Sequence, residues 1–216
     1  MEMTFKQKVE NFWYYNKWFV IVGGIFAIFF IIAFVQIITK VESDVDIMYV
    51  GPSQVASANV EDMQENISAV VKRDFNDDGE IFVKIISYKV YTGESNGEFD
   101  AFQKGEIEGY TTELIAGDST ILLLDPVIYE GLKKDGIIMP LTEVLGFEPT
   151  VANDGYSFKL SELPLYKKPG FSALPKDTVL CVKYTRSFAL LDKESAEAKH
   201  SFNLDVFRWL YESFSE

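Results

Sequence analysis

The chain has one cysteine and one histidine among 216 residues, and each scarcity closes off a class of chemistry. With Cys181 alone, no intramolecular disulfide forms. Cys181 and His200 together fall short of the roughly four nitrogen and sulfur ligands that a structural zinc site needs. Cys181 also lies in the apolar run Val179–Val182, with no histidine near it in sequence. That context predicts a buried, inert thiol and not a nucleophile. No nucleophile elbow, P-loop or dinucleotide fingerprint is present. The one Gly-Gly pair, Gly23-Gly24, falls in an apolar run where no phosphate sits. Pairs of carboxylates are plentiful, but 33 acidic residues make such pairs expected by chance. No catalytic constellation, and so no enzyme, is expected. Positive charge is scarce too. The net charge is −13 with no basic patch, which argues against a nucleic-acid partner.

What the chain does have is a long oily stretch near its start. Trp18 to Ile38 is 21 residues with Gln36 as the only strongly polar member. A helix of that length crosses a hydrocarbon core of roughly 30 Å. Just before it, Phe12, Trp13, Tyr14, Tyr15, Lys17, Trp18 and Phe19 form an interfacial aromatic belt with a cation. Phe5, Val9, Phe12 and Trp13 share a helical face. Residues 1–17 therefore read either as an amphipathic lead-in lying along the inner surface or as an extension of the spanning helix. Lys6, Lys8 and Lys17 precede the span, whereas Lys40 alone among cations follows it closely, with Glu42, Asp44 and Asp46. That asymmetry puts the N-terminus in the cytoplasm and the rest outside. The run is longer than a signal-peptide core, and Ile37-Ile38-Thr39-Lys40-Val41 offers no small-x-small cleavage site. No cysteine follows for lipid attachment. A retained single-pass anchor at residues 18–39 is expected, with the lipid bilayer as its partner.

Residues 1–17 sum to +1 and 18–39 carry no charge, so the remainder carries −14. An acidic domain of that size stays soluble near an anionic surface. With nearly half the residues hydrophobic, it folds as one domain over 44–216. Asp44–Gly51 reads as a strand starting a few residues past the span, a tether of at most roughly 17 Å. Val60 to Phe75 has helical spacing through Val60, Met63, Ile67, Val70 and Val71. Ile81–Val90 reads as a strand, and Asp100 to Ala116 as a helix with a break near Gly105 or Gly109. Thr120–Leu124 is a continuous apolar run, the pattern of a strand covered on both faces. Asp125 then fits an N-cap and Pro126 the first helical position of a helix to Lys134. Ile137 to Pro175 is loop-rich with five of the seven prolines. Asp177–Thr185 is a strand, and Glu194–Phe214 a helix with Ala198, Phe202, Val206, Leu210 and Phe214 as its stripe. The alternation predicts a three-layer α/β domain with a mainly parallel sheet.

The 48 residues from Phe99 to Gly146 resemble the first lobe of extracellular solute-binding proteins, the ABC-transporter receptors of the type 2 periplasmic-binding fold. The resemblance rests on the turn Ala116-Gly117-Asp118, the strand Ile121–Leu124, a helix carrying Tyr129 and Leu132, and the turn at Gly136, Pro140 and Leu141. It implies a module that binds a small polar solute or a neighbouring membrane protein. Such receptors have two lobes, roughly twice this length, and most in Gram-positive bacteria hang on a lipidated cysteine. The whole chain is also similar to single-span proteins of Gram-positive bacteria, a similarity that implies no activity. An envelope structural or protein-interaction domain without small-molecule binding is the alternative.

Two sets of residues are candidates for a site. In open α/β sheets ligands bind beyond the carboxyl ends of the strands. There Ser53 and Asp125 would hydrogen-bond a polar solute and Tyr129 would stack on it; capping and packing are their ordinary roles. The second set is Asp74, Asn76 and Asp78 in DFNDDGEI, which matches the first eight positions of a calcium loop. Position twelve, however, is Ile85 where a bidentate glutamate is expected, and Ile81 onward reads as strand. An Asp/Asn/Gly turn between helix and strand explains the same residues. Calcium is the only cofactor the sequence suggests.

Overall fold

The computed structural model describes residues 4–38, 42–92, 101–116, 118–185 and 193–215. The chain forms two compact units, Met1–Glu42 and Ser43–Glu216. The first is a single helix, α1 (Phe5–Ile38), of 34 residues. Its segment Glu10–Val35 has mean hydropathy 2.8 and buries nothing against protein, long and apolar enough to cross a membrane. No interruption separates the lead-in from the oily run, so the N-terminal residues from Phe5 extend the helix.

The second unit is an α/β domain. Its strands are β1 (Val45–Gly51), β2 (Val83–Lys89), β3 (Ile121–Leu124), β4 (Ser157–Lys159) and β5 (Val179–Val182), in the order β2-β1-β3-β5-β4. β1 pairs in parallel with β2 and with β3, whereas β5 is antiparallel to both β3 and β4. Four strands therefore point one way and β5 alone points the other. The sheet is mixed and mostly parallel. The expectation missed β4, three residues inside the stretch read as loop.

Among the described residues, five α-helices surround the sheet: α2 (Ser57–Ser68), α3 (Ala101–Ala116), α4 (Pro126–Lys134), α5 (Leu141–Leu145) and α6 (Lys193–Ser215). One face packs under Met63 and Ile67 of α2 and Phe202, Val206, Phe207 and Leu210 of α6. The other packs under Leu114 of α3 and Tyr129 of α4. With helices on both faces, every residue of β1, β3 and β5 is buried, hence their unbroken apolar runs. Cys181 is wholly buried in β5, and burial pushes its thiol well above the usual range.

Two boundaries differ from expectation. α2 stops at Ser68, not Phe75, although Val71 still packs in the core. α3 runs unbroken past both glycines. Gly109 is there for contact: a Cβ on it would lie 2.6 Å from Cε1 of Tyr88 on β2. On α6, Phe202, Val206 and Leu210 are buried as the stripe requires, but Ala198 is exposed. The Phe214 side chain, Gly117 and most of the loop after Thr92 lie outside the described residues.

Candidate functional site

β1 is followed by α2 on one face, and β2 and β3 by α3 and α4 on the other. The chain thus changes face between β1 and β3, and in open α/β sheets such a switch marks the ligand crevice, beyond the carboxyl ends of the strands. Three strand ends are laced together there. The amide of Val90 donates to Gly51 O (2.9 Å) and that of Asp125 to Val50 O (2.8 Å). Thr92 Oγ1, beyond β2, donates to Asp125 Oδ1, beyond β3, at 3.0 Å. Because β1 lies between those strands, this bond spans the end of β1. Asp125 Oδ1 also accepts from the Val127 amide at 2.9 Å, the cap expected of it.

Tyr49 is two residues before the end of β1. Its side chain is fully buried, and its hydroxyl has no hydrogen-bond partner. The ring sits on Gly51 so closely that a Cβ there would be 2.5 Å from the hydroxyl oxygen. Burial raises the phenol above its ordinary value, and the charges of Asp125 and Asp177 act in the same direction. Ser53 is close enough to oppose that shift, though without hydrogen-bond geometry. Ser53 and Asp125 are half-buried. Of the three predicted residues, the structure brings Ser53 and Asp125 to this end and adds Tyr49 and Thr92; Asp177, two residues before the Val179 that pairs with Leu124, is exposed at the same end.

Tyr129 goes elsewhere. It is buried in the opposite face, and its hydroxyl donates to Asp154 Oδ2 at 2.6 Å. Lys133 pairs with the same oxygen, while Ser157 Oγ and the Tyr156 amide donate to Oδ1 at 3.0 and 3.1 Å. Burial opposes ionisation of Asp154, but these donors outweigh it and hold its carboxyl below the usual range. Burial and then the bond to Asp154 push the Tyr129 phenol far above its ordinary value. Tyr129 staples α4 to the turn before β4 and does not stack at the crevice.

The Asp74–Gly79 loop closes on itself. Asp74 accepts from the amides of Gly79 (2.7 Å), Asn76 and Asp77 (both 3.0 Å). Those bonds, from Gly79 first, hold its carboxyl below the usual range. Asn76 Oδ1 accepts from the Asp78 amide and Asp78 Oδ1 from the Glu80 amide. Asp77 and Gly79 take positive φ of 56° and 92°, which folds the loop tightly. Beneath it the buried Asp44 carboxylate accepts from the amides of Phe75 and Phe82 at 2.8 and 2.7 Å. Among the described residues, no three His, Cys, Asp or Glu side chains are grouped to hold a metal.

The opposite end of the sheet carries a polar cluster that the sequence did not announce. Asp46, buried at the start of β1, pairs with Lys199 at 2.6 Å and accepts from Ser43 Oγ at 2.8 Å. Its amide donates to Asn203 Oδ1 at 3.3 Å. Lys199 also reaches Asp118 at 3.7 Å. Buried Lys183 donates to Leu114 O at 3.1 Å. His200 Nδ1 lies 3.2 Å from Thr120 Oγ1, and burial, then the Lys183 charge, holds the imidazole below its ordinary value. The only signal was an aspartate on each side of Val45 in an otherwise apolar strand. No family model, no curated protein and no solved structure matches the chain.

Proposed function

We propose that the chain is a membrane-anchored binding module, cytoplasmic at its N-terminus and displaying its α/β domain outside the cell. Its ligand is a small polar molecule taken at the carboxyl ends of β1 and β3. One observation carries this reading: the buried Tyr49 hydroxyl without a partner. Leaving a buried donor unmade costs about 1–3 kcal/mol. A ligand hydrogen-bonded to that hydroxyl would recover it. The resemblance of Phe99–Gly146 to a solute-binding lobe points the same way, as does the general preference of α/β folds for this crevice.

The test uses the full chain in detergent. A panel of polar solutes is screened by thermal shift against wild type and Tyr49→Phe. A solute that raises the wild-type midpoint and not that of Tyr49→Phe supports the reading; a panel that shifts neither defeats it. Protease added to intact cells tests the orientation, since it must remove the C-terminal domain.

A second reading is an envelope protein-interaction domain without a small ligand. It is favoured by Asp125 and Tyr129, both engaged by internal hydrogen bonds. Cross-linking in cells that captures a membrane protein, together with a silent solute panel, would favour it.

A further inference from the structure

The two edges of the sheet are finished differently. β4 ends one side with three residues, whereas β2 ends the other with seven, Val83–Lys89. Among the described residues only β1 pairs with β2. The Val90 amide donates to Gly51 O, and Phe82 O accepts from the amides of Asp44 and Val45. Even-numbered residues of this stretch therefore turn their amides and carbonyls toward β1. The odd-numbered Val83, Ile85, Ser87 and Lys89 turn theirs to the outer edge. Two side chains cover the ends of that edge. Gln64 Nε2, on α2, donates to Val83 O at 2.7 Å, and the Lys89 amide donates to Glu106 Oε2, on α3, at 2.7 Å. Between those caps, the amides and carbonyls of Ile85 and Ser87 make no hydrogen bond among the described residues. Ile85 to Lys89 are all half-buried, while β1, β3 and β5 are buried throughout.

An uncovered stretch of this kind is a template for another strand. Its free groups are also self-complementary. A second β2 laid antiparallel, with Ile85 opposite Ser87 and Ile86 opposite Ile86, gives every free amide a free carbonyl. Lysines on an edge keep strands apart when they face one another. In this register they do not. Lys84 lies opposite Tyr88 of the second copy, and Lys89 opposite its Val83. Both copies carry a net charge of −13. At physiological salt that repulsion is screened beyond about 8 Å.

We infer that β2 pairs with β2 of a second copy of this chain across a two-fold axis, joining two domains into one continuous sheet. A ladder this short is small beside the roughly 1,000 Å² that a stable complex in free solution buries. Chains held in one bilayer by α1 meet in a plane at raised effective concentration, which offsets that shortfall. The inference uses the anchoring of the chain and is independent of the proposed ligand.

The experiment uses the full chain in its membrane. Cys181 is the single native cysteine and is wholly buried, so it does not compete for oxidation. The reporter is Ile86→Cys. Opposed residues of a non-hydrogen-bonded antiparallel pair have Cα atoms about 4.5 Å apart, within disulfide reach. Mild oxidation should join these chains into a reducible dimer at least about tenfold faster than Val127→Cys chains. Val127, on α4, is 63% exposed and reports random collision. Adding Ser87→Pro to Ile86→Cys removes an amide that faces the outer edge and no bond to β1. The domain should stay folded by near-ultraviolet circular dichroism and lose the dimer. Cross-linking no faster than at Val127 overturns the inference, as does a disulfide to another protein in place of the dimer. A dimer that survives Ser87→Pro in a folded chain overturns it too, because collision and not the ladder made it. If Ser87→Pro unfolds the domain, the ratio between the two cysteine variants decides alone.

Discussion

The two ends of the β-sheet treat polar groups in opposite ways. At the amino ends of β1 and β3, Asp44, Asp46, Lys183, Lys199 and Asn203 are buried or nearly so, and each has close partners. At the carboxyl ends, Tyr49 is buried without a partner and Asp125 and Asp177 lack cations among the described residues. A buried polar group that is fully bonded holds a fold in one arrangement, whereas one left unbonded is a cost that the fold alone does not explain. The proposed division, structure at one end and ligand recognition at the other, rests on this contrast.

The most severe test falls on the bonded end. Lys199→Met leaves the Asp46 carboxylate, 2% exposed, without its 2.6 Å partner and with only the more exposed Lys84 at 3.9 Å. Breaking such a pair costs about 3–5 kcal/mol, to be read as a fall in the denaturation midpoint followed by near-ultraviolet circular dichroism. A loss below about 1 kcal/mol would mean that this end is no clamp.

At the other end, Gly51→Ala drives a Cβ to within 2.5 Å of the Tyr49 hydroxyl oxygen and 2.8 Å of Cζ. Overpacking of this kind costs about 1–3 kcal/mol, and Tyr49→Phe in the same chain should return part of it. Tyr49→Phe alone sharpens the comparison in the opposite sense. It removes an unbonded hydroxyl, so it should leave stability unchanged or raise it by about 1 kcal/mol in thermal denaturation. A clear loss of stability would show that the hydroxyl is bonded after all.

Acid provides a smaller test of the bonded end. His200 is held below its ordinary 6.5, so the unfolded chain takes up this proton first as pH falls. The stability His200 contributes is whole above about 6.5 and is lost as pH drops below it. Between about pH 7 and about pH 5.5 the wild-type midpoint should therefore fall more than that of His200→Gln. The least effect is expected from calcium. The Asp74–Gly79 loop is closed by its own amides, so millimolar calcium should leave the melting midpoint where it is. A rise would make the loop a site.

The parts legible in sequence were those set by period and local chemistry. The unbroken apolar runs of β1 and β3 announced strands covered on both faces, and Asp125-Pro126 announced the start of α4. The oily run announced α1. Long-range pairings were not legible. Nothing local shows that Asp46 meets a lysine 153 positions later, or that Tyr129 spends its hydroxyl on Asp154. Gly109 carried the opposite meaning from the one its residue type suggests, because its role is set by Tyr88 on another element. At the crevice, Ser53 and Asp125 were readable from the rule about strand ends. Tyr49 was not, because a tyrosine in a strand ordinarily finds a partner and only the packed structure shows that this one does not.

β5 occupies a place in the sheet that its position in the chain does not suggest. It lies between β3 and β4, so β4 leaves the ribosome before the strand it must pair with. Until Val179–Val182 arrive, β3 presents an open apolar edge and β4 has no neighbour, and α6 comes later still to cover one face. Assembly of that side of the sheet is thus withheld until residue 182 has been made, and a nascent chain arrested before residue 179 would be open to edge-to-edge association.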